Sequence, residues 1–320
     1  MLTRERTRSR LGLASVAVAL VSTVVLGGCG SSGGTSADVE RQNGPLAVAS
    51  AIRPVGITRR EPSGVLHRLT TNRQDSYPTW SSDGTRIAFQ RQFGKQGASH
   101  LFVMDGDGSD VHQVGDAVAI GQQFAWSPDG EELAYQGVGG IWTIDLDAAE
   151  ERLLYPDKDG LTHQPAWSPD GKTIALAEAG KGLIQIDAER GSSPRVLVRL
   201  PRSQAQHLYV FFDPTWSPDG RRIAFLSSDL FETGENGRPT SLVVVNADGS
   251  SRRMLTKLGS PAGVAETVHP TWSPDGRSIA YADHLGERYG IWVVSSSGGK
   301  PRLLLEGVGW TMPSWGPAGA

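Results

Sequence analysis

Short apolar runs and polar turns alternate along most of the chain. One series of runs reads Ile87-Ala-Phe89, Leu133-Ala-Tyr135, Ile174-Ala-Leu176, Ile223-Ala-Phe225 and Ile279-Ala-Tyr281. A second follows it, as Leu101-Phe-Val-Met104, Ile141-Trp-Thr-Ile144, Leu183-Ile-Gln-Ile186, Leu242-Val-Val-Val245 and Ile291-Trp-Val-Val294. Runs this short, rich in β-branched and aromatic residues and bounded by Gly, Pro and Asp, predict strands. Ser-Pro-Asp-Gly precedes most members of the first series; Asp105-Gly-Asp-Gly108 and Ala247-Asp-Gly-Ser250 follow members of the second. In the former, proline fixes φ at the second position and glycine accepts the left-handed geometry that ends the turn. A fourth run, such as Arg253-Met-Leu-Thr256, completes each unit.

The unit repeats. Pro78-Thr-Trp80-Ser-Ser-Asp-Gly84 returns as Phe124-Ala-Trp126-Ser-Pro-Asp-Gly130, Pro165-Ala-Trp167-Ser-Pro-Asp-Gly171, Pro214-Thr-Trp216-Ser-Pro-Asp-Gly220 and Pro270-Thr-Trp272-Ser-Pro-Asp-Gly276. A degraded sixth copy is Pro313-Ser-Trp315-Gly-Pro-Ala-Gly319. The tryptophans stand 46, 41, 49, 56 and 43 residues apart, close to one propeller blade each. Four short antiparallel strands per unit predict an all-β fold, a six-bladed β-propeller. The last copy lacks three strands, and the N-terminal body supplies them: Leu46-Ala-Val-Ala-Ser50 takes the second position, and residues 55–70 align with residues 290–305. The propeller therefore closes with three N-terminal strands and one C-terminal strand, which removes the free edges that invite aggregation.

The Pro-x-Trp-Ser-Pro-Asp-Gly repeat resembles the TolB-type (PD40, WD40-like) β-propeller family over residues 45–320. That resemblance implies a binding platform in the cell envelope, usually without catalysis.

Ahead of the repeats the pattern changes. Arg4, Arg6, Arg8 and Arg10 precede an uncharged stretch over 11–26, too short for a membrane span of about 20 residues but suited to a signal peptide. Leu26-Gly27-Gly28-Cys29 resembles the lipobox of bacterial lipoproteins. By that resemblance Cys29 is diacylated and becomes the mature N-terminus, and two acyl chains give lasting anchorage. Residues 1–28 read as the lipoprotein signal peptide, 29–44 as a Gly/Ser-rich tether and 45–320 as the propeller. The expected location is the cell membrane, lipid-anchored and facing the extracytoplasmic side. Gly30-Ser31-Ser32-Gly33-Gly34 matches the esterase pattern G-x-S-x-G but lacks the strand and helix that pattern requires.

Composition narrows the function. Forty glycines and 19 prolines favour a turn-rich fold over a helical bundle. The net charge of −3 conceals +3 in the first ten residues, so the remainder carries −6. A mildly acidic body argues against nucleic acid as a partner. A single cysteine excludes an intrachain disulfide and a cysteine-built zinc site. No H-E-x-x-H, P-loop or dinucleotide fingerprint occurs, and no cofactor is expected.

Strand connections in an antiparallel blade alternate between two faces. The tight turns share one face, while the variable connections, within 91–99, 228–239 and 283–289 and between blades at 201–212 and 257–268, share the other. Variable insertions on one face mark a binding face, with Glu232, Glu235 and Arg238 in the longest intrablade loop. Three residues before each repeat tryptophan stand Tyr77, Gln123, Gln164, Asp213, His269 and Met312, predicted to ring the channel. The constant small residues just before each tryptophan (Thr79, Ala125, Ala166, Thr215, Thr271, Ser314) suit tight packing, whereas this variable polar ring suits either recognition or a water-filled channel. Asp105, Asp107 and Asp110 read as turn residues rather than a calcium loop.

The expectation is a monomeric, non-enzymatic scaffold that binds an envelope protein or cell-wall component. The alternative is a metal-dependent lyase or hydrolase acting on a saccharide at the channel mouth. Oligogalacturonate lyases resemble this propeller type and use a His/Gln metal site, for which His163, His207, His269 and Gln164 are the candidates. The three histidines stand four, nine and three residues before their tryptophans, a scatter that speaks against one shared site. Cys29→Ser is expected to abolish membrane attachment and leave the propeller folded; normal processing of this variant, with no acyl mass on the wild type, would refute the anchor.

Overall fold

A computed structural model describes residues 43–50, 55–93, 99–119, 124–157, 159, 162–191, 193–199, 211–227, 241–259, 268–285, 288–307 and 310–318. Cys29, Gln123, His207, Glu232, Glu235 and Arg238 lie outside the described residues, as do the signal peptide and most of the tether. The described residues form six four-stranded antiparallel sheets and no helix. Blades 1 to 5 run in chain order. Their innermost strands are Asp75–Trp80, Phe124–Trp126, Thr162–Trp167, Phe211–Trp216 and Thr271–Trp272. Blade 6 is composite: Trp310–Trp315 lies innermost, followed by Leu46–Ser50, Gly56–Arg60 and Leu66–Arg68. The predicted closure is the one observed, with Leu46 opposite Trp315 and Ala47 opposite Ser314.

The second and third strands of each blade are buried on both faces, which explains why their sequences read as unbroken apolar runs. Apolar clusters form between successive sheets; one joins Ala177 and Leu183 of blade 3 to Trp216, Phe225 and Val243 of blade 4. The repeat tryptophans bridge the same seams. Trp126 Nε1 donates to Thr79 O of the preceding blade at 2.9 Å, Trp216 to Ala166 O at 3.1 Å and Trp272 to Thr215 O at 3.1 Å. A bulky residue at the small position would hold the indole away from that carbonyl. Arginine roofs two of these rings: Arg86 lies 5.1 Å from the Trp126 ring and donates to Gly130 O, and Arg222 lies 4.8 Å from Trp272 and donates to Gly276 O.

Each Ser-x-Asp-Gly turn is closed the same way. In blade 4, Gly220 N donates to Ser217 O at 2.9 Å, and Gly220 has φ 68°. Ser217 Oγ donates to Asp219 at 2.6 Å and accepts Arg222 N at 2.9 Å. Asp219 also accepts Arg221 N at 3.1 Å. The serine hydroxyls, together with the peptide N–H groups, hold Asp129, Asp170 and Asp219 below the ordinary carboxylate value, against partial burial.

Two outcomes follow from this architecture. Deleting residues 45–70 removes three strands of blade 6 and should abolish the cooperative transition in a calorimetric melt, whereas deleting 30–42 should leave it native-like. Equal, native-like melts of both truncations would disprove the closure. For the turn carboxylates, the depressed folded-state values mean that their contribution is complete above the unfolded pKa of about 3.9 and is lost as pH falls through the lower folded values. The melting temperature should therefore decline below about pH 4, and the Ser127→Ala, Ser168→Ala, Ser217→Ala triple variant should show a flatter acid limb in pH-resolved melts.

Candidate functional site

The innermost strands are irregular at one level. Pairing with the second strand shifts register between Ser76 and Thr79 in blade 1, between His163 and Ala166 in blade 3, and between Phe212 and Thr215 in blade 4. The residue preceding proline in each irregularity turns left-handed: φ is 55° at Tyr77, 57° at Gln164 and 50° at Asp213. His269 and Met312 adopt the same sign, at 31° and 54°. All five described members of the predicted ring thus share a conformation that costs a non-glycine residue roughly 1–2 kcal/mol. Proline disfavours the right-handed α region for the residue before it, and the bulge removes it from the ladder.

These five positions touch one another from blade to blade. Asp213 N donates to Gln164 Oε1 at 2.8 Å, joining blades 3 and 4. His269 Nδ1 meets Asp213 Oδ2 at 3.1 Å, joining blades 4 and 5. Tyr77 N donates to Met312 Sδ at 3.2 Å, joining blades 6 and 1. The Tyr77 and His269 rings meet edge-to-face with centroids 5.2 Å apart. The side chains of Asp213 and His269 are only 5% and 7% exposed, so their pairing lies in a desolvated setting.

A cavity of about 530 Å³ adjoins this ring. Tyr77, His269 and Met312 line it at one end. At the other stand Ser82, Pro169 and Pro218, exposed residues of the tight turns. Prolines, the small pre-tryptophan residues and the repeat tryptophans form its wall. The cavity therefore reaches the ring from the tight-turn face.

His163 stands one residue before Gln164 on the innermost strand of blade 3. It meets Gln136 of blade 2 at 3.1 Å, and burial holds its imidazole below the ordinary histidine value. Among the described residues no group of three or more His, Cys, Asp or Glu converges as a metal site would require. Asp105 and Asp107 are engaged by Ser109, as turn residues are.

This is a six-bladed propeller whose repeats meet at a channel ring. The family model of the TolB beta propeller domain (PD40) matches residues 67–257, more than half of the chain, and the protein belongs to that family. It is 27% identical over 82 residues to the Tol-Pal system protein TolB of Chromobacterium violaceum, a match spanning 26% of this chain and 18% of that relative. Among solved structures, TolB from Acinetobacter baumannii superposes with a TM-score of 0.68 at 18% identity, covering 87% of this chain and 67% of that one. An oligogalacturonate lyase in complex with manganese superposes with a TM-score of 0.51 at 16% identity, covering 82% and 73%. These structural likenesses are likenesses of fold.

Proposed function

We propose that the protein is a binding platform of the cell envelope, held to the extracytoplasmic side of the membrane through acylated Cys29 and performing no chemistry of its own. The observation that carries this reading is the ring itself. Five left-handed positions hold Tyr77, Gln164, Asp213, His269 and Met312, side chains of unlike chemistry in contact from blade to blade, and three of them (Tyr77, His269 and Met312) line a cavity whose wall is repetitive. Strained backbone of this kind gathers at ligand-binding sites. Membership of the TolB propeller family and the name of the Chromobacterium relative support an envelope protein as the partner, with a cell-wall component as the other candidate. The reading extends, from the sequence alone, to Gln123, three residues before Trp126, and to Glu232, Glu235 and Arg238 of the longest intrablade insertion as further recognition residues.

Photo-crosslinking residues placed at Tyr77 or Met312 should yield a discrete protein adduct in intact cells. The same residues at Glu150 or Arg190, exposed on the outer rim, should yield none. Absence of ring-specific adducts would remove the platform reading. Turnover of oligogalacturonate in the presence of manganese would replace it with the lyase.

A further inference from the structure

The tight-turn face carries its charge unevenly. The inner and outer turns of a blade lie side by side there: Leu146 N donates to Glu131 O in blade 2 at 2.9 Å, Ala247 N to Arg221 O in blade 4 at 2.9 Å, and Ser296 N to Arg277 O in blade 5 at 2.8 Å. In blades 1 and 2, these turns and the strand ends beside them, at 81–86, 105–112, 127–132 and 145–152, hold eleven Asp and Glu against two Arg. In blades 4 and 5, at 217–222, 246–253, 273–277 and 295–302, seven Lys and Arg stand against three Asp. Blade 3 lies between, and its turns at 168–173 and 187–195 balance three acidic residues with three basic ones. In a ring of six, blades 4 and 5 stand across the channel from blades 1 and 2. One half of the face is basic and the other acidic.

Main-chain contacts gather the basic half at one seam. Arg222 and Arg253 reach from blade 4 to blade 5, donating to Gly276 O at 3.2 Å and Ser296 O at 2.8 Å. Arg221, Arg252, Arg277 and Lys300 stand exposed around them. The three aspartates are engaged inside their own turns: Asp219 and Asp275 accept the Ser217 and Ser273 hydroxyls, and Asp248 accepts Ser250 N.

The chain enters the propeller at the same place. Asn43 Oδ1 accepts Asp275 N at 3.3 Å, Gly44 O accepts Trp315 Nε1 at 3.0 Å, and Pro45 O accepts Gly316 N at 2.7 Å. The N-terminal segment thus joins the tight-turn face at the inner turn of blade 5, two residues from Arg277. Asn43 lies 14 residues after Cys29, a span of at most about 50 Å when fully extended.

We propose that the basic half of the tight-turn face, blades 4 and 5, docks on an anionic lipid leaflet. The anchor keeps this face near the membrane, and its Lys and Arg meet lipid phosphates, whose pull decays within a Debye length of about 8–10 Å. The same field repels blades 1 and 2. The face therefore meets the leaflet at an angle, and the mouth of the cavity stays open on the acidic side. The inference rests on the acyl anchor at Cys29 and adds the surface that the propeller turns toward the lipid.

The test uses the mature acylated protein on vesicles of phosphatidylcholine alone, or with about one third phosphatidylglycerol, each doped with a lipid bearing a headgroup nitroxide. A bimane is attached to Ser297→Cys or Ala148→Cys, exposed positions in the outer turns of blades 5 and 2, while Cys29 is blocked by its acyl chain. On the anionic vesicles the blade 5 probe should be quenched at least about twofold more than the blade 2 probe, and the two should converge at about 0.5 M salt. Arg221→Glu, Arg277→Glu and Lys300→Glu together should erase the difference; should that variant melt abnormally, the salt series on the wild type decides. Equal quenching of both probes on anionic vesicles, or a difference that persists on phosphatidylcholine alone or at high salt, would overturn the proposal. A salt-sensitive dimer in sedimentation, with both probes quenched equally, would assign the basic half to the acidic half of a second copy instead. In each of these cases a protein that carries acyl mass and floats with the vesicles keeps the anchor and loses this inference alone. A protein that carries no acyl mass and floats with neither vesicle removes the anchor and this inference together.

Discussion

The indole N–H of one blade bonded to the main-chain carbonyl of the blade before it is the contact on which the ring is built. Trp126, Trp216 and Trp272 all make it, each reaching a residue just ahead of the neighbouring tryptophan. The bond has a steric condition, a small residue at the receiving position, and the sequence meets it with Thr79, Ala166 and Thr215. Where the contact is absent, other bonds take its place. Trp167 and Trp315 donate to Gly171 O and Gly44 O beside their own second strands. At the seam between blades 6 and 1, Trp80 leaves its indole N–H unpartnered but anchors its backbone N–H on Ser314 Oγ at 3.0 Å, under the Arg59 guanidinium.

Because these bonds use constant residues and main-chain atoms, the residue three before each tryptophan is not called on to make them. The left-handed turn is a backbone event: a proline follows at all five positions, and at Tyr77, Gln164, Asp213 and Met312 the strand pairing also shifts register. The side chains differ from blade to blade, and two of them, Gln164 and Met312, also receive a backbone N–H across a seam. The fold thus separates two tasks within three residues: tryptophan holds the blades together, and the residue three before it gives the ring its chemistry.

The blades were legible in the sequence because burial on both faces writes itself as apolar runs, and because identical turns recur with each unit. Closure was legible from arithmetic: the last copy lacks three strands and the first residues provide them. The ring could be placed by counting back from tryptophan, but its geometry could not. Left-handed backbone normally announces itself through Gly or Asn, and here Tyr, Gln, Asp, His and Met adopt it. The pairing of Asp213 with His269 joins residues on different blades whose side chains carry no local signal of each other. His163, grouped with His269 by residue type, meets Gln136 instead, because it stands one residue before the bulge that turns its neighbour left-handed.

Blade 6 also sets an order of events during synthesis. Leu46–Ser50, buried along its whole length, is the first of the described strands to be made, yet its inner neighbour Trp310–Trp315 follows all the others. A nascent chain leaves that strand unpaired on one edge until Trp310–Trp315 has been synthesised. The same late strand brings Met312, whose sulfur receives Tyr77 N. A chain that stops short of Trp310–Trp315 lacks both the inner strand of blade 6 and Met312, so it cannot close the ring.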